Sequence, residues 1–238
     1  AFILVPAGHA GANKELLHHL ELPYHAVTST DLYLTHYLND SANDPVMNRI
    51  RAQKLRNSEE DKVKIFFVPS YLNGDDGVFN MPYYDLLVGM DLTAFPSYYE
   101  PWGYTPLESL AFKVPTITTT LAGFGLWVKE HYNMNHPGIE VIHREDGDAS
   151  NVATAIAEWV KNYTQVGETE MQKDRDNAKD VSRIALWDNL INYYKQAYTI
   201  ALNQVSVRLK DLPANMNESV SYIEKQLTVN NPSSVSVM

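Results

Sequence analysis

The stretch Phe95-Pro-Ser-Tyr-Tyr-Glu100-Pro-Trp-Gly-Tyr-Thr-Pro-Leu-Glu108 decides how this chain is read. Leu92-Thr-Ala-Phe95 before it has the apolar, β-favouring character of a short buried strand, and Pro96 and Ser97 break that strand at once. The chain then turns through Pro101 and Gly103 and enters a helical pattern of apolar residues, Leu107, Leu110, Ala111 and Phe112. This arrangement predicts Glu100 in the crevice at a strand's carboxyl end and Glu108 one turn into the next helix, facing the same crevice. In open α/β sheets such a crevice, beside a helix N-terminus with free N–H groups, takes phosphorylated ligands. An ionised carboxylate accepts several strong hydrogen bonds, so the hydroxyls of a sugar or ribose are natural partners for both glutamates.

Outward from this stretch, strands and helices alternate. Strand patterns cover Ala1–Val5, Val63–Val68, Leu92–Phe95, Thr116–Thr119 and Ile139–Ile142. Helical patterns cover Asp44–Arg56 (Met47, Ile50, Leu55), Pro82–Val88, Thr105–Phe112, Leu126–Tyr132 and Asn151–Tyr163, the last capped by Ser150 or Asn151. A long helix from about Asn177 to Asn203 follows. Strands and helices at this spacing predict a parallel, Rossmann-like α/β sheet covered by helices on both faces. After Val205 the pattern fades, and Asn230-Asn-Pro-Ser-Ser-Val-Ser reads as a solvated tail. The expected division is a nucleotide-sugar-binding domain over residues 1–203 and a partly disordered extension over 204–238.

With 238 residues, 45% of them hydrophobic, the chain can bury one sizeable core. A net charge of −10 argues against a nucleic-acid or anionic-membrane surface. Without cysteine there is no disulfide, thiolate metal site or cysteine nucleophile. The eight histidines lack metal-ligand spacing, so neither a metal nor another cofactor is expected. No apolar run approaches bilayer length. The opening Ala1-Phe-Ile-Leu-Val5, without initiator Met or signal pattern, reads as the start of a piece excised from a larger cytoplasmic protein.

The spacing Glu100-x7-Glu108 resembles the E-x7-E signature of retaining GT-B glycosyltransferases. With Val114-Pro-Thr-Ile-Thr-Thr and Gly123-Phe-Gly125, the wording is similar to glycogen synthases of the animal and fungal type, from Ala1 to about Leu202. The resemblance implies the C-terminal, donor-binding half of a GT-B enzyme that transfers glucose from UDP-glucose to a growing α-1,4-glucan with retention. Glu100 then corresponds to the carboxylate at the transferred glucose and Glu108 to the one that holds the uridine ribose. The same resemblance puts Tyr71 and Tyr83 around the uracil ring, Trp102 in the donor site and His36 near the nucleotide. The backbone N–H groups of Gly103, Tyr104 and Thr105 can receive the diphosphate; read without a ligand, Gly103 only makes a turn and Thr105-Pro106 only starts a helix. Gly123-Phe-Gly125 reads as a tight turn before the Leu126 helix.

A departing diphosphate needs cations, because charge builds there in the transition state. GT-B enzymes supply an Arg and a Lys near the start of this domain, which the resemblance places upstream of Ala1, as it does the acceptor-binding domain. Donor binding by this piece alone is therefore expected to be weak, without turnover. The family's arginine-dense helix for glucose 6-phosphate is matched here by Glu168-Thr-Glu-Met-Gln-Lys-Asp-Arg-Asp-Asn177, where acids outnumber the cations Lys173 and Arg175. A homo-oligomeric parent is compatible with this reading. Two others remain: a non-catalytic nucleotide-sugar or glycan-binding module of the same fold, and another retaining GT-B enzyme such as a sucrose or trehalose-phosphate synthase.

Overall fold

The computed structural model describes residues 1–21, 32–132, 138–210 and 221. In chain order the elements begin with β1 (Phe2–Leu4), β2 (His9–Ala12), α1 (Lys14–Glu21), β3 (His36–Leu38), α2 (Pro45–Ala52), β4 (Phe66–Val68) and α3 (Tyr83–Leu87). They continue with β5 (Thr93–Ala94), α4 (Tyr104–Ala111), β6 (Thr116–Thr119), α5 (Gly123–His131), β7 (Ile139–Ile142), α6 (Ala149–Tyr163), α7 (Glu168–Arg183) and α8 (Trp187–Lys210). The chain divides into two compact units, Ala1–Lys179 and Asp180–Met238.

The first unit carries the parallel pairing that the alternating pattern predicts. β1 lies parallel to β4, with Phe2 beside Phe66 and Leu4 beside Val68. Tyr33–Thr35 runs along the same strand, Phe67 N–H donating to the Tyr33 carbonyl and Thr35 N–H to the Phe67 carbonyl. β5, β6 and β7 form a parallel sheet in that order, with Thr116–Thr119 in register with Ile139–Ile142. One apolar cluster joins Tyr33, Met47, Ile50 and Phe67; another joins Ile117, Ile142 and Val152, with Ile156, Trp159 and Val160 of α6 against it. Each fully buried side chain of this size contributes roughly 1.5–3 kcal/mol.

Several sequence expectations change. The polar segment after the first strand contains β2, α1 and β3, and β2 pairs antiparallel with β3. The strand expected over Val63–Val68 shortens to Phe66–Val68, because the Ile65 N–H donates to the Asn57 side chain instead of a ladder. Gly123-Phe-Gly125 is not a turn but the first turn of α5. At both glycines a Cβ would overlap a carbonyl oxygen, that of Pro101 at Gly123 and that of Thr119 at Gly125. The N-cap of α6 is Asp148, not Ser150 or Asn151. The single helix over Asn177–Asn203 is two helices. Ile184, Ala185 and Leu186 donate to carbonyls three residues back, tightening the end of α7, and the Asn189 amide caps the Arg183 carbonyl at 2.9 Å. α8 continues to Lys210, past the point where the pattern fades. The Asn230–Ser236 stretch lies outside the described residues.

Candidate functional site

β5 ends in the loop that carries Glu100, and hydrogen bonds from distant residues shape that loop. Phe95 N–H still donates to Ile117, after which Pro96 ends the ladder. The Ser97 carbonyl then accepts from the Thr119 hydroxyl at 2.8 Å. Glu100 forms an isolated parallel bridge with Ala122: its N–H donates to Leu121 and its carbonyl accepts from Gly123 N–H. The Trp102 carbonyl accepts from Phe124 N–H at 2.6 Å. Two orphan donors at the start of α5 are thus consumed by the Glu100 loop itself.

The start of α4 differs. Its N-cap is Gly103, whose φ of 108° lies in the left-handed region, and no side chain caps the helix. Tyr104 and Thr105, the first two helical residues, are exposed, and Pro106 follows without an N–H to offer. A built Cβ at Gly103 would come 3.4 Å from the Glu100 Cγ, so the Glu100 side chain lies against this helix start. Trp102 is half-buried, with its ring edge-on to Phe124 at 5.8 Å and tilted toward Trp127 at 6.1 Å.

Glu108, half-buried, lies on the second turn of α4. Tyr83 and Tyr84 at the start of α3 reach the same place. Burial raises the Tyr83 phenol above its ordinary pKa, and the charge of Glu108 adds to this. Interaction with the Glu108 carboxylate, by hydrogen bonding and then by charge, raises that of Tyr84. Tyr84 also stacks on Phe112 with ring centroids 5.1 Å apart. Tyr84 carries no signal in the sequence, because its partner Glu108 lies 24 residues on, in α4.

Tyr71 and Tyr83 stand at the two ends of one loop. Tyr83 N–H donates to Leu72, and Asn73 bridges Pro82, so the loop closes just after Tyr71, which is 77% exposed. Inside the loop the Asp76 carboxylate accepts from the N–H groups of Val78, Phe79 and Asn80, each at 2.9 Å. His36 is fastened to this loop. Fully buried, it donates from Nε2 to the Asp76 carbonyl at 2.8 Å, while Nδ1 meets the Thr35 hydroxyl at 2.8 Å. The His9 ring packs edge-on at 4.7 Å. With no surface exposed, His36 acts on the region of Tyr71 and Tyr83 through the loop it holds.

The cations of α7 already have partners. Arg175 meets Asp91 at 2.9 Å and the Met90 carbonyl at 3.2 Å, and Lys173 meets Glu170 at 3.3 Å. Asp176 is bound by Lys113 at 2.7 Å. Among the described residues no group of three His, Asp or Glu side chains has the geometry of a metal site, and no helix is long and apolar enough to cross a membrane.

Parallel strands flanked by helices, with a carboxylate loop and an uncapped helix start at a strand's carboxyl end, define a Rossmann-like α/β domain. The profile of the family described as glycogen synthase matches residues 21–237, and the chain belongs to that family. It is 30% identical over 174 residues to glycogen [starch] synthase isoform 1 of Saccharomyces cerevisiae, covering 72% of this chain and 25% of the yeast protein. Identity is 33% over 172 residues with glycogen [starch] synthase of Neurospora crassa (72% and 24% of the two chains). It is 32% over 195 residues with glycogen [starch] synthase of Caenorhabditis elegans (81% and 28%). The chain therefore spans about a quarter of the length of these relatives.

Proposed function

We propose that residues 1–203 form the donor-binding domain of a cytoplasmic glycogen synthase, which transfers glucose from UDP-glucose to an α-1,4-glucan with retention. The observation that carries this reading is the contrast between two helix starts. The orphan N–H groups of α5 are taken up by the Glu100 and Trp102 carbonyls, whereas α4 begins uncapped between Glu100 and Glu108. A helix start left open beside two carboxylates suits a ligand with a diphosphate in its middle and hydroxyls at both ends.

In this reading the N–H groups of Gly103, Tyr104 and Thr105 receive the diphosphate. Glu108 accepts from the ribose hydroxyls, and Tyr71 and Tyr83 flank the base, the stacking aromatics suiting its flat face. Glu100 acts on the glucose, where developing positive charge in the transition state favours a carboxylate. Trp102 and His36 keep the walls in place. The glucan is engaged mainly outside these 238 residues. With Arg175 and Lys173 already paired to carboxylates, α7 offers no forked phosphate grip, so the enzyme works without activation by glucose 6-phosphate.

Calorimetry and kinetics on the full-length protein test the assignment. Glu108→Ala should weaken UDP by roughly 1.5–3 kcal/mol, the range for hydrogen bonds to a charged group. Glu100→Ala should lower kcat steeply while UDP affinity stays nearly unchanged. Unaltered UDP affinity in the first variant would remove Glu108 from the site, and near-normal turnover in the second would remove Glu100 from the reaction.

A further inference from the structure

Arg144 lies two residues beyond β7, outside every motif so far considered, yet it reaches 48 residues back to the loop that carries Glu100. One terminal guanidinium nitrogen donates to the Pro96 carbonyl at 2.6 Å and to the Ser97 carbonyl at 3.3 Å. The guanidinium carbon sits 4.8 Å from the centroid of the Tyr98 ring, within cation–π range. One cation thus holds three consecutive residues of the turn between β5 and Glu100. Its own backbone is pinned: Arg144 N–H donates to the Thr120 hydroxyl at 2.9 Å, and that hydroxyl faces the Arg144 carbonyl at 3.3 Å. Thr119, beside Thr120, donates to the same Ser97 carbonyl.

Local sequence does not hold this turn, since Pro96 lacks an N–H and the local bond runs only from Ser97 to Phe95. A loop whose carbonyls would otherwise point to water is instead fastened to β6 and to the end of β7. We propose that Arg144 is a positioning residue for sugar transfer: it clamps the Pro96–Tyr98 turn and thereby sets the place of Glu100 against the donor. This rests on the reading of Glu100 given above. The cost of a badly held carboxylate falls on the chemical step, because a displacement of about 1 Å at a reacting group can cost roughly a hundredfold in rate. Donor affinity is little affected, since the nucleotide contacts proposed above lie beyond the Pro96–Tyr98 turn, at the start and second turn of α4 and at Tyr71 and Tyr83.

The test uses the full-length protein, with kcat, the Kd for UDP, hydrogen exchange and the melting temperature measured on Arg144→Gln and Arg144→Lys. Gln loses both charge and reach; Lys keeps a cation with donors for the two carbonyls and drops the Arg144 Nε, which is buried without a hydrogen-bond partner. We expect Arg144→Gln to lower kcat roughly ten- to a hundredfold with the Kd for UDP within about twofold, and Arg144→Lys to recover most of the rate. Hydrogen exchange without donor should show faster exchange at the Ser97 and Glu100 amides in Arg144→Gln alone. A role confined to stability would lower the melting temperature of both variants and move kcat and Kd together, which overturns the proposal. Unchanged exchange at Ser97 and Glu100 overturns it as well. If exchange quickens as expected but Glu100→Ala retains its activity, the clamp stands and the assignment of Glu100 falls.

Discussion

Two loops follow parallel strands of the first unit, and they are held in opposite ways. The loop between Tyr71 and Tyr83 is organised mainly from within: Asp76 gathers the amides of Val78, Phe79 and Asn80, Asn80 accepts from Gly77, and Tyr83 closes on Leu72. From 40 residues earlier in the chain, His36 donates to the Asp76 carbonyl. The loop between Phe95 and Gly103 is organised from outside. Its carbonyls and amides engage Thr119, Leu121, Gly123, Phe124 and Arg144, between 21 and 48 residues away. A self-organised loop can keep its shape while its surroundings move, but an externally fastened one follows the sheet. The tyrosines proposed to flank the base sit on the first kind of loop and the carboxylate proposed for the chemistry on the second. That division suits a site in which binding tolerates motion and transfer does not.

The comparison can be broken most severely at the outer fastening. Gly125→Ala would force a Cβ into the backbone carbonyl of Thr119, a residue whose side-chain hydroxyl donates to the Ser97 carbonyl, and should cost about 3 kcal/mol in urea unfolding. Hydrogen exchange should quicken around Glu100 while residues 76–80 stay protected; equal loosening of both loops would refute the contrast. Asp76→Ala is the mirror experiment. Losing a charged acceptor for three amides should cost about 1.5–3 kcal/mol, with fast exchange confined to residues 77–83 and UDP affinity reduced through Tyr71 and Tyr83. Protection of Ser97 and Glu100 should not change.

A charge remote from both loops gives the baseline. Burial, then the charge of Glu170, raises Asp174 above the ordinary carboxylate value, Lys173 partly opposing, and its Oδ1 is buried without a partner. A carboxyl with a raised folded pKa keeps a proton that the unfolded chain has released. Its contribution is therefore most favourable below the unfolded value near 4 and is lost as pH rises through the folded one. Asp174→Asn should stabilise the protein by roughly 1 kcal/mol at pH 7, and the gain should vanish in urea melts below about pH 4. Neither loop's exchange pattern should alter; a gain that persists in acid would show that the charge is not the cause. The smallest expected effect is none: activity of the full-length protein should be flat across millimolar glucose 6-phosphate. A severalfold rise would show that the pairing of Arg175 with Asp91 and Lys173 with Glu170 does not block an effector.

How far the site could be read in advance follows the same division. Thr116–Thr119 and Ile139–Ile142 match their strand patterns residue for residue, because burial and β-branching leave a strong local signal. α3 and α4 lie within a residue of their expected limits, Pro82 and Gly103 standing at their N-caps. β2 and β3 went unread because each is short, polar and paired only through the other. The break between α7 and α8 has neither Gly nor Pro to announce it; a tightened turn and the Asn189 cap make it. In the candidate site, Glu100, Glu108 and the helix start between them were legible from spacing. Tyr84 and Arg144 were not, since each gains its place from a partner at least 24 residues away.

The alternation of strands and helices, the Glu100-x7-Glu108 spacing, the lack of cysteine and the acid-rich α7 are written in the sequence. All are properties of adjacent residues, where period, turn chemistry and charge act without reference to the rest of the chain. Which helix start is consumed and which is left open depends on the folded chain. Folding also makes His36 a buried support for the Asp76 loop and brings Arg144 onto Pro96 and Ser97. The reason is that backbone carbonyls and amides look alike in every residue. Which of them bond is settled by the packing of β6, β7 and α5 against the loop, and no local pattern records it.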